Sequence, residues 1–252
     1  MTAAIYFHPE AYSVRSDRVM GRHSAGDSFL RALFHHGAAE EMWAYVAQPA
    51  HGAEWSRAAI DAGWKGRAGS FGQDRLGTLS RLGALFVPGP GLAEHARKRS
   101  LWSHEAWSLV GVTHTLSSAR AMDSITELVS APIMPWDALI CTSRVAQSVV
   151  ADLFAREEED LARRLGATSF IRPKLPLIPL GVHVDDFAQS KQIRMLGRKK
   201  LGLAEDELAV LFMGRLSFHA KAHPLAMYIA LERSAKATGQ KIVLVECGWH
   251  GN

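Results

Sequence analysis

Apolar runs recur along the chain at Ala4–Phe7, Met42–Ala47, Ala84–Val87, Ser108–Thr113, Ala138–Thr142, Leu177–Leu180, Ala209–Met213 and Ile242–Val245. Each has strand length. Several are continuous rather than alternating, as expected for strands covered on both faces of a parallel sheet. Helical periodicity fills the intervals. Over Ala25–His36, Phe29, Leu30, Leu33 and Phe34 share one stripe, and Gly37 follows as a C-cap. Over Arg144–Leu165, Val145, Val149, Leu153 and Phe154 recur at helical spacing, Arg156–Asp160 forms the solvated face, and Gly166 closes the helix. Strand–helix alternation of this kind predicts a doubly wound, Rossmann-type α/β domain.

Composition supports a globular reading. The 252 residues are 48% hydrophobic, too apolar for disorder and numerous enough for a substantial core. No apolar run approaches the ~20 residues that span a bilayer. The segment Met1–His8 lacks the basic flank and long apolar stretch of a signal peptide. A cytoplasmic protein is expected, with peripheral contact at the inner face of a membrane as a further option. The two cysteines, Cys141 and Cys247, fall within predicted strands and are expected to be buried and reduced.

The net charge of +4 gathers in Arg97-Lys98-Arg99, Arg163-Arg164, and Arg194 with Arg198-Lys199-Lys200. Such groups are either solvated helix faces or attractors for an anionic partner, a nucleotide diphosphate or a phospholipid surface. Aromatic residues do not interleave with them and no nucleic-acid module is present, so nucleic acid is not an expected partner.

Three polar segments carry candidate chemistry. Gly214-Arg215-Leu216, with Lys221 further on, follows a strand directly. A glycine turn lets backbone approach a ligand, Arg215 offers a planar fork for phosphate oxygens, and Lys221 adds a compact charge. Spacing alone leaves a diphosphate loop and two solvated surface cations equally open. The run Gly111-Val112-Thr113-His114-Thr115-Leu116 places His114 at a strand end, where open α/β sheets bind ligands. A satisfied core or helix-capping histidine is the alternative, with Thr115, Ser117 and Ser118 available as caps. The segment Met20–Asp27, with Gly21, Arg22 and Gly26, reads as a loop entering a helix whose N-terminus suits an anion, or as an ordinary loop with Ser24 as N-cap.

Other signals are weaker. Ser143 reads as the cap of the Arg144 helix. His219 and His223 have a metal-pair spacing, but no third ligand is evident and no metal is expected. Val87-Pro88-Gly89-Pro90-Gly91 is a strand-to-helix loop, and neither a Gly-x-Gly-x-x-Gly fingerprint nor a Walker A sequence occurs.

Two segments together resemble a known family. Leu-Ile-Pro-Leu-Gly-Val-His-Val-Asp-Asp-Phe at 177–187, and Val-Leu-Phe-Met-Gly-Arg-Leu-Ser-Phe-His-Ala-Lys-Ala-His-Pro at 210–224, are similar to the interdomain linker and first donor-binding loop of GT-B-fold glycosyltransferases. The family-4-like retaining enzymes resemble them most. The resemblance implies an N-terminal acceptor-side domain over 1–182, a linker over 183–200, and a partial donor-binding domain over 201–252 that lacks its C-terminal part. It implies a nucleotide-diphosphate sugar as donor, a carbohydrate, small-molecule or lipid acceptor, and no cofactor or metal. Gly214, Arg215 and Lys221 would hold the donor diphosphate, and His114 would serve catalysis beside the donor sugar. Gly21, Arg22 and Gly26 would border acceptor or phosphate.

The sequence also departs from the family. Ala222 stands where relatives often have glycine, and the glycine pair common after the first strand is missing. The spaced glutamates of the family's second domain find no counterpart, since Glu232 falls on a predicted helix and Glu246 at a strand end. The non-enzymatic alternative is an acceptor-binding module or a subunit that associates through its incomplete last domain.

Overall fold

The computed structural model describes residues 3–14, 19–217, 221 and 223–249. The chain divides into two compact units, the first of residues 1–14 and 21–182, the second of residues 15–20 and 183–252.

The first unit is built on six strands: β1 (Ala4–Phe7), β2 (Glu41–Val46), β3 (Arg67–Phe71), β4 (Ala84–Phe86), β5 (Ser108–Val112) and β6 (Ala138–Ile140). They lie in the order β3-β2-β1-β4-β5-β6, and every pairing is parallel. This is the strand order of a doubly wound Rossmann sheet, with its topological switch between β1 and β4. Period-two alternation splits β1, β2, β3 and β4 between two cores. Ile5, Phe7, Met42, Ala44 and Val46 pack with Leu30 and Phe34 of α1 (Gly21–His36) and with Trp55 and Ala59 of α2 (Pro49–Asp61). Ala4, Trp43, Tyr45, Leu85, Leu109 and Leu139 face the other way. They meet α3 (Gly77–Leu82), α4 (Ala93–Ser100), α5 (Ala119–Ser130) and α6 (Arg144–Leu165) through Leu79, Ala96, Ile125 and Phe154.

Four details differ from the sequence expectations. Strand β3 escapes the apolar pattern because Arg67, Gly69 and Ser70 break the run; Gly69 leaves room for the Trp43 ring, into which a Cβ would run. Leu177–Leu180 makes no strand, only an isolated bridge from Leu177 to Cys141. Helix α1 starts at Gly21 rather than Ala25, so Ser24 is helical and not an N-cap. Cys141 is buried as expected, but Cys247 is exposed because it lies at the exposed end of its strand, beyond the half-buried run Ile242–Val245.

One buried ion pair pins the second core. Arg99 and Asp137 are both fully buried and meet bidentately at 2.6 and 2.7 Å. Arg99 also donates to the carbonyls of Trp107 and Pro132, while Asp137 accepts from the amides of Leu109 and Met134. Such pairs persist only when both charges are fully hydrogen-bonded, as these are save for Arg99 Nε.

The second unit contains α7 (Lys191–Lys200), β7 (Leu208–Met213), α8 (Pro224–Thr238) and β8 (Ile242–Cys247). Strands β7 and β8 form a two-stranded parallel sheet in register from Leu208↔Ile242 to Met213↔Cys247. None of its described residues is buried, and Leu211 and Met213 are 60% and 71% exposed.

Candidate functional site

In the first unit the site is assembled where the strand order reverses. Beyond β1 the chain makes a short 3-10 turn, Pro9–Ala11, and then enters α1. Gly26 lets α1 press against that turn, since an added Cβ would run into the Ala11 carbonyl oxygen. Tyr12 Oη donates back to the Tyr6 carbonyl at 3.2 Å and fixes the chain leaving β1. Beyond β4, the Val87–Gly91 loop is held to β5, where the Val112 amide donates to the Gly89 carbonyl at 3.2 Å.

The ends of β5 and β6 are latched by two threonines. The Thr113 amide donates to the Ile140 carbonyl at 2.9 Å, and the Thr142 amide donates to Thr113 Oγ1 at 3.2 Å. Thr142 Oγ1 donates in turn to the Thr113 carbonyl at 3.3 Å. His114 therefore leaves β5 from a fixed point. Beyond it, Ser118 caps α5 by accepting from the Ala121 amide, and Ser143 caps α6 by accepting from the Ala146 amide.

These devices converge on a pocket of about 170 Å³ lined by Tyr6, His8, Glu10, Ala11, Arg22, Pro88 and His114. Two expected sites, His114 and the Arg22 segment, thus share one cavity. His114 is half-buried, its Nδ1 enclosed without a hydrogen-bond partner. Burial lowers its pKa, and the nearby Arg22 cation lowers it further. The imidazole is therefore neutral at neutral pH. Arg22 Nε donates to His23 Nε2 at 3.2 Å. Gly21, Arg22 and Gly26 lie in the first turns of α1 and not in a loop; Gly26 packs on the 3-10 turn, while nothing stands within 4 Å of a Cβ added at Gly21.

His8 and Glu10 are not among the sequence candidates. The signal was there: they immediately follow the first strand, at the end where parallel sheets bind ligands. His8 packs against the buried His51 ring at 4.8 Å.

In the second unit, Gly214 follows β7 at φ 153°, a backbone region suited to glycine, and its amide donates to the Cys247 carbonyl at 2.9 Å. Gly248 is required opposite, because a Cβ there would collide with the Gly214 carbonyl. The Leu216 amide donates to the Trp249 carbonyl, and the Arg215 guanidinium lies 5.6 Å from the Trp249 ring centre. Trp249 Nε1 donates to the Val19 carbonyl at 2.8 Å. Lys221 is exposed, its amide donating to the Ser217 carbonyl. Gly214, Arg215 and Lys221 thus belong to one strand-end loop, with Arg215 braced by an aromatic ring.

The comparisons with known proteins bear on this arrangement. No family model matches the chain, and no curated protein matches it in sequence. Among solved structures it is similar to HepE (Alr3699) of Anabaena in complex with UDP, at TM-score 0.57 and 12% identity over 98% of this chain and 69% of that one. HepE in complex with UDP and glucose gives TM-score 0.51 at 12% identity, over 98% and 70% of the two chains. HepE in complex with UDP-glucose gives 0.52 at 13% identity, over 98% and 69%. The fold is GT-B-like.

The remaining sequence candidates resolve simply. His219 lies outside the described residues, and His223 is the N-cap of α8, accepting from the Leu225 amide at 3.3 Å. No group of three His, Cys, Asp or Glu side chains suited to a metal ion occurs among the described residues. Two of the three basic groups are engaged in ion pairs. Arg97, Lys98 and Arg99 meet Glu127, Glu94 and Asp137, while Arg163 and Arg164 share Asp160. No helix among the described residues is long and apolar enough to cross a membrane.

Proposed function

We propose that the chain belongs to a family-4-like glycosyltransferase that moves a sugar from a nucleotide-diphosphate donor to an acceptor with retention. The observation that carries this reading is the structural likeness, over 98% of the chain, to a protein solved with UDP and with UDP-glucose. The loop after β7 supplies fitting chemistry. Arg215 and Lys221 take the diphosphate, while Gly214 keeps the strand end open to it. As charge develops on the departing phosphate, fixed cations stabilise it without a metal ion. His114, neutral at physiological pH, serves the transferred sugar as a hydrogen-bonding group rather than as a cation. The acceptor belongs to the pocket of the first unit, beside Arg22 and the start of α1.

Calorimetric titration of the 252-residue protein with UDP and UDP-glucose tests the donor half. Both are expected to bind, and Arg215→Ala is expected to weaken UDP by about tenfold to a hundredfold, the size of a lost charge-assisted phosphate contact. Absence of UDP binding, or an unchanged affinity in the variant, sinks the assignment. The anomeric configuration of any product, read by NMR, decides between retention and inversion.

A second reading has its own support. The β7–β8 sheet exposes Leu208, Leu211 and Met213, a surface suited to association with another polypeptide. On that reading the chain is an acceptor-binding module or subunit, and acceptor binding persists in Arg215→Ala with no UDP bound by the native protein.

A further inference from the structure

The pocket of the first unit carries more information than its position. Its volume of about 170 Å³ falls below the roughly 300–1,000 Å³ of sites for drug-sized ligands, so it suits one small ring. The Tyr6 ring and Pro88 give it apolar wall, and its polar groups are of opposed kinds. The Glu10 carboxylate only accepts hydrogen bonds, and the Arg22 guanidinium only donates them. With Nε engaged by His23, the outer N–H groups of Arg22 are the ones left to meet a ligand. His114 adds a neutral imidazole with an enclosed nitrogen that has no partner.

An anion placed here answers Arg22 but is repelled by Glu10, and a cation meets the reverse conflict. A hydroxyl group donates and accepts, so several hydroxyls on an uncharged ring satisfy both walls together. We propose that this pocket holds a single uncharged sugar ring, the terminal residue of a carbohydrate acceptor, and that Glu10 is the residue that selects it. That the ring is an acceptor rests on the transferase reading; that the pocket binds it does not. Carboxylate-to-hydroxyl hydrogen bonds are charge-assisted and directional, and a site built around one rejects ligands that leave it unmatched. Arg22 on this account meets a sugar hydroxyl and not a phosphate.

The test uses the 252-residue protein and follows the ring resonances of His8 and His114 by NMR. Methyl α-glucoside, methyl α-galactoside and methyl α-mannoside are titrated separately, and inorganic phosphate in a parallel series. At least one glycoside is expected to shift both rings with a saturable curve, while phosphate leaves them in place. Glu10→Gln is expected to weaken the glycoside by about tenfold or more, the loss of one hydrogen bond to a charged group. Glu10 is exposed, so the variant keeps its fold, which its amide spectrum verifies.

Rings that respond to phosphate alone, rings that respond to no probe, or a glycoside held equally well by Glu10→Gln each overturn the proposal. UDP binding, measured separately, keeps the two readings apart. Glycoside binding without UDP binding preserves the pocket and removes the transferase; UDP binding without glycoside binding does the opposite.

Discussion

His95 shows how a single residue behind the pocket ties stability to pH. It lies on α4 with its ring 4.9 Å from that of Tyr6 and 6.3 Å from that of Tyr45. Burial drives its pKa down to about 4, with Glu94 opposing and Lys98 reinforcing the shift. The folded state thus resists a proton that the unfolded chain takes up near pH 6.5. By linkage, the stability from a neutral His95 is complete above about pH 6.5 and is lost as pH falls from there toward about 4. The gap corresponds to about 3 kcal/mol in full, of which about 2 kcal/mol has gone by pH 5. His95→Phe keeps a ring between the tyrosines and removes the titration. Urea unfolding at about pH 7 and pH 5 is expected to show that the variant loses about 2 kcal/mol less than the parent over this interval. Equal losses in the two proteins contradict the account. Nothing in the sequence around Glu94-His95-Ala96 announces this role, because it depends on two tyrosines from β1 and β2 that only the sheet brings together.

At the scale of elements, the approach of α1 to the 3-10 turn decides where the pocket wall stands. Gly26 is buried, and a methyl group there would occupy the space of the Ala11 carbonyl oxygen, a backbone atom that cannot swing aside. Gly26→Ala is therefore expected to push α1 away from Pro9–Ala11 and to cost about 1–3 kcal/mol, the range for overpacking a close contact. Thermal unfolding measures the cost, and the displaced Glu10 and Arg22 should change the NMR environment of His8. A variant as stable as the parent, with His8 undisturbed, refutes the close approach.

The same elements show what could be read in advance. Strands β1, β2 and β4 read as apolar runs because each contributes to both cores, while β5 and β6 read so through Leu109 and Leu139 in the second core. Strand β3 does not, because Arg67, Gly69 and Ser70 interrupt any apolar run, Gly69 making room for the Trp43 ring. Helix α1 begins four residues before its apolar stripe predicts because Gly21-Arg22-His23-Ser24 resembles a loop by composition, and tertiary packing through Gly26 overrides that signal. His114 and Arg22 were each legible as strand-end or helix-start chemistry. Their meeting in one cavity with Glu10 was not, because it follows from the strand order.

At the scale of the whole molecule, the two units differ in how much water they exclude. In the first, each of β1, β2, β4 and β5 pairs on both sides, and helices cover both faces. In the second, β7 and β8 pair only with each other among the described residues, none of which is buried. A two-stranded sheet is marginal by itself, and local opening follows the scarcity of buried apolar contact. Amide hydrogen exchange should therefore be slow in β1, β2 and β5 and faster by orders of magnitude in β7 and β8. The prediction fails if Val210 and Leu244 exchange as slowly as Ile5 and Ala44. The donor assignment adds a second layer to the experiment. A diphosphate held by Arg215 and Lys221 binds only the formed strand-end loop, so saturating UDP stabilises that loop by mass action. Protection should then rise at Gly214, Leu216 and Gly248, whose amides or close contacts join the two strand ends. The amides of β1 and β2 should not change. Slowing spread evenly over both units would mean that UDP acts on the whole chain and not through the Gly214–Lys221 loop.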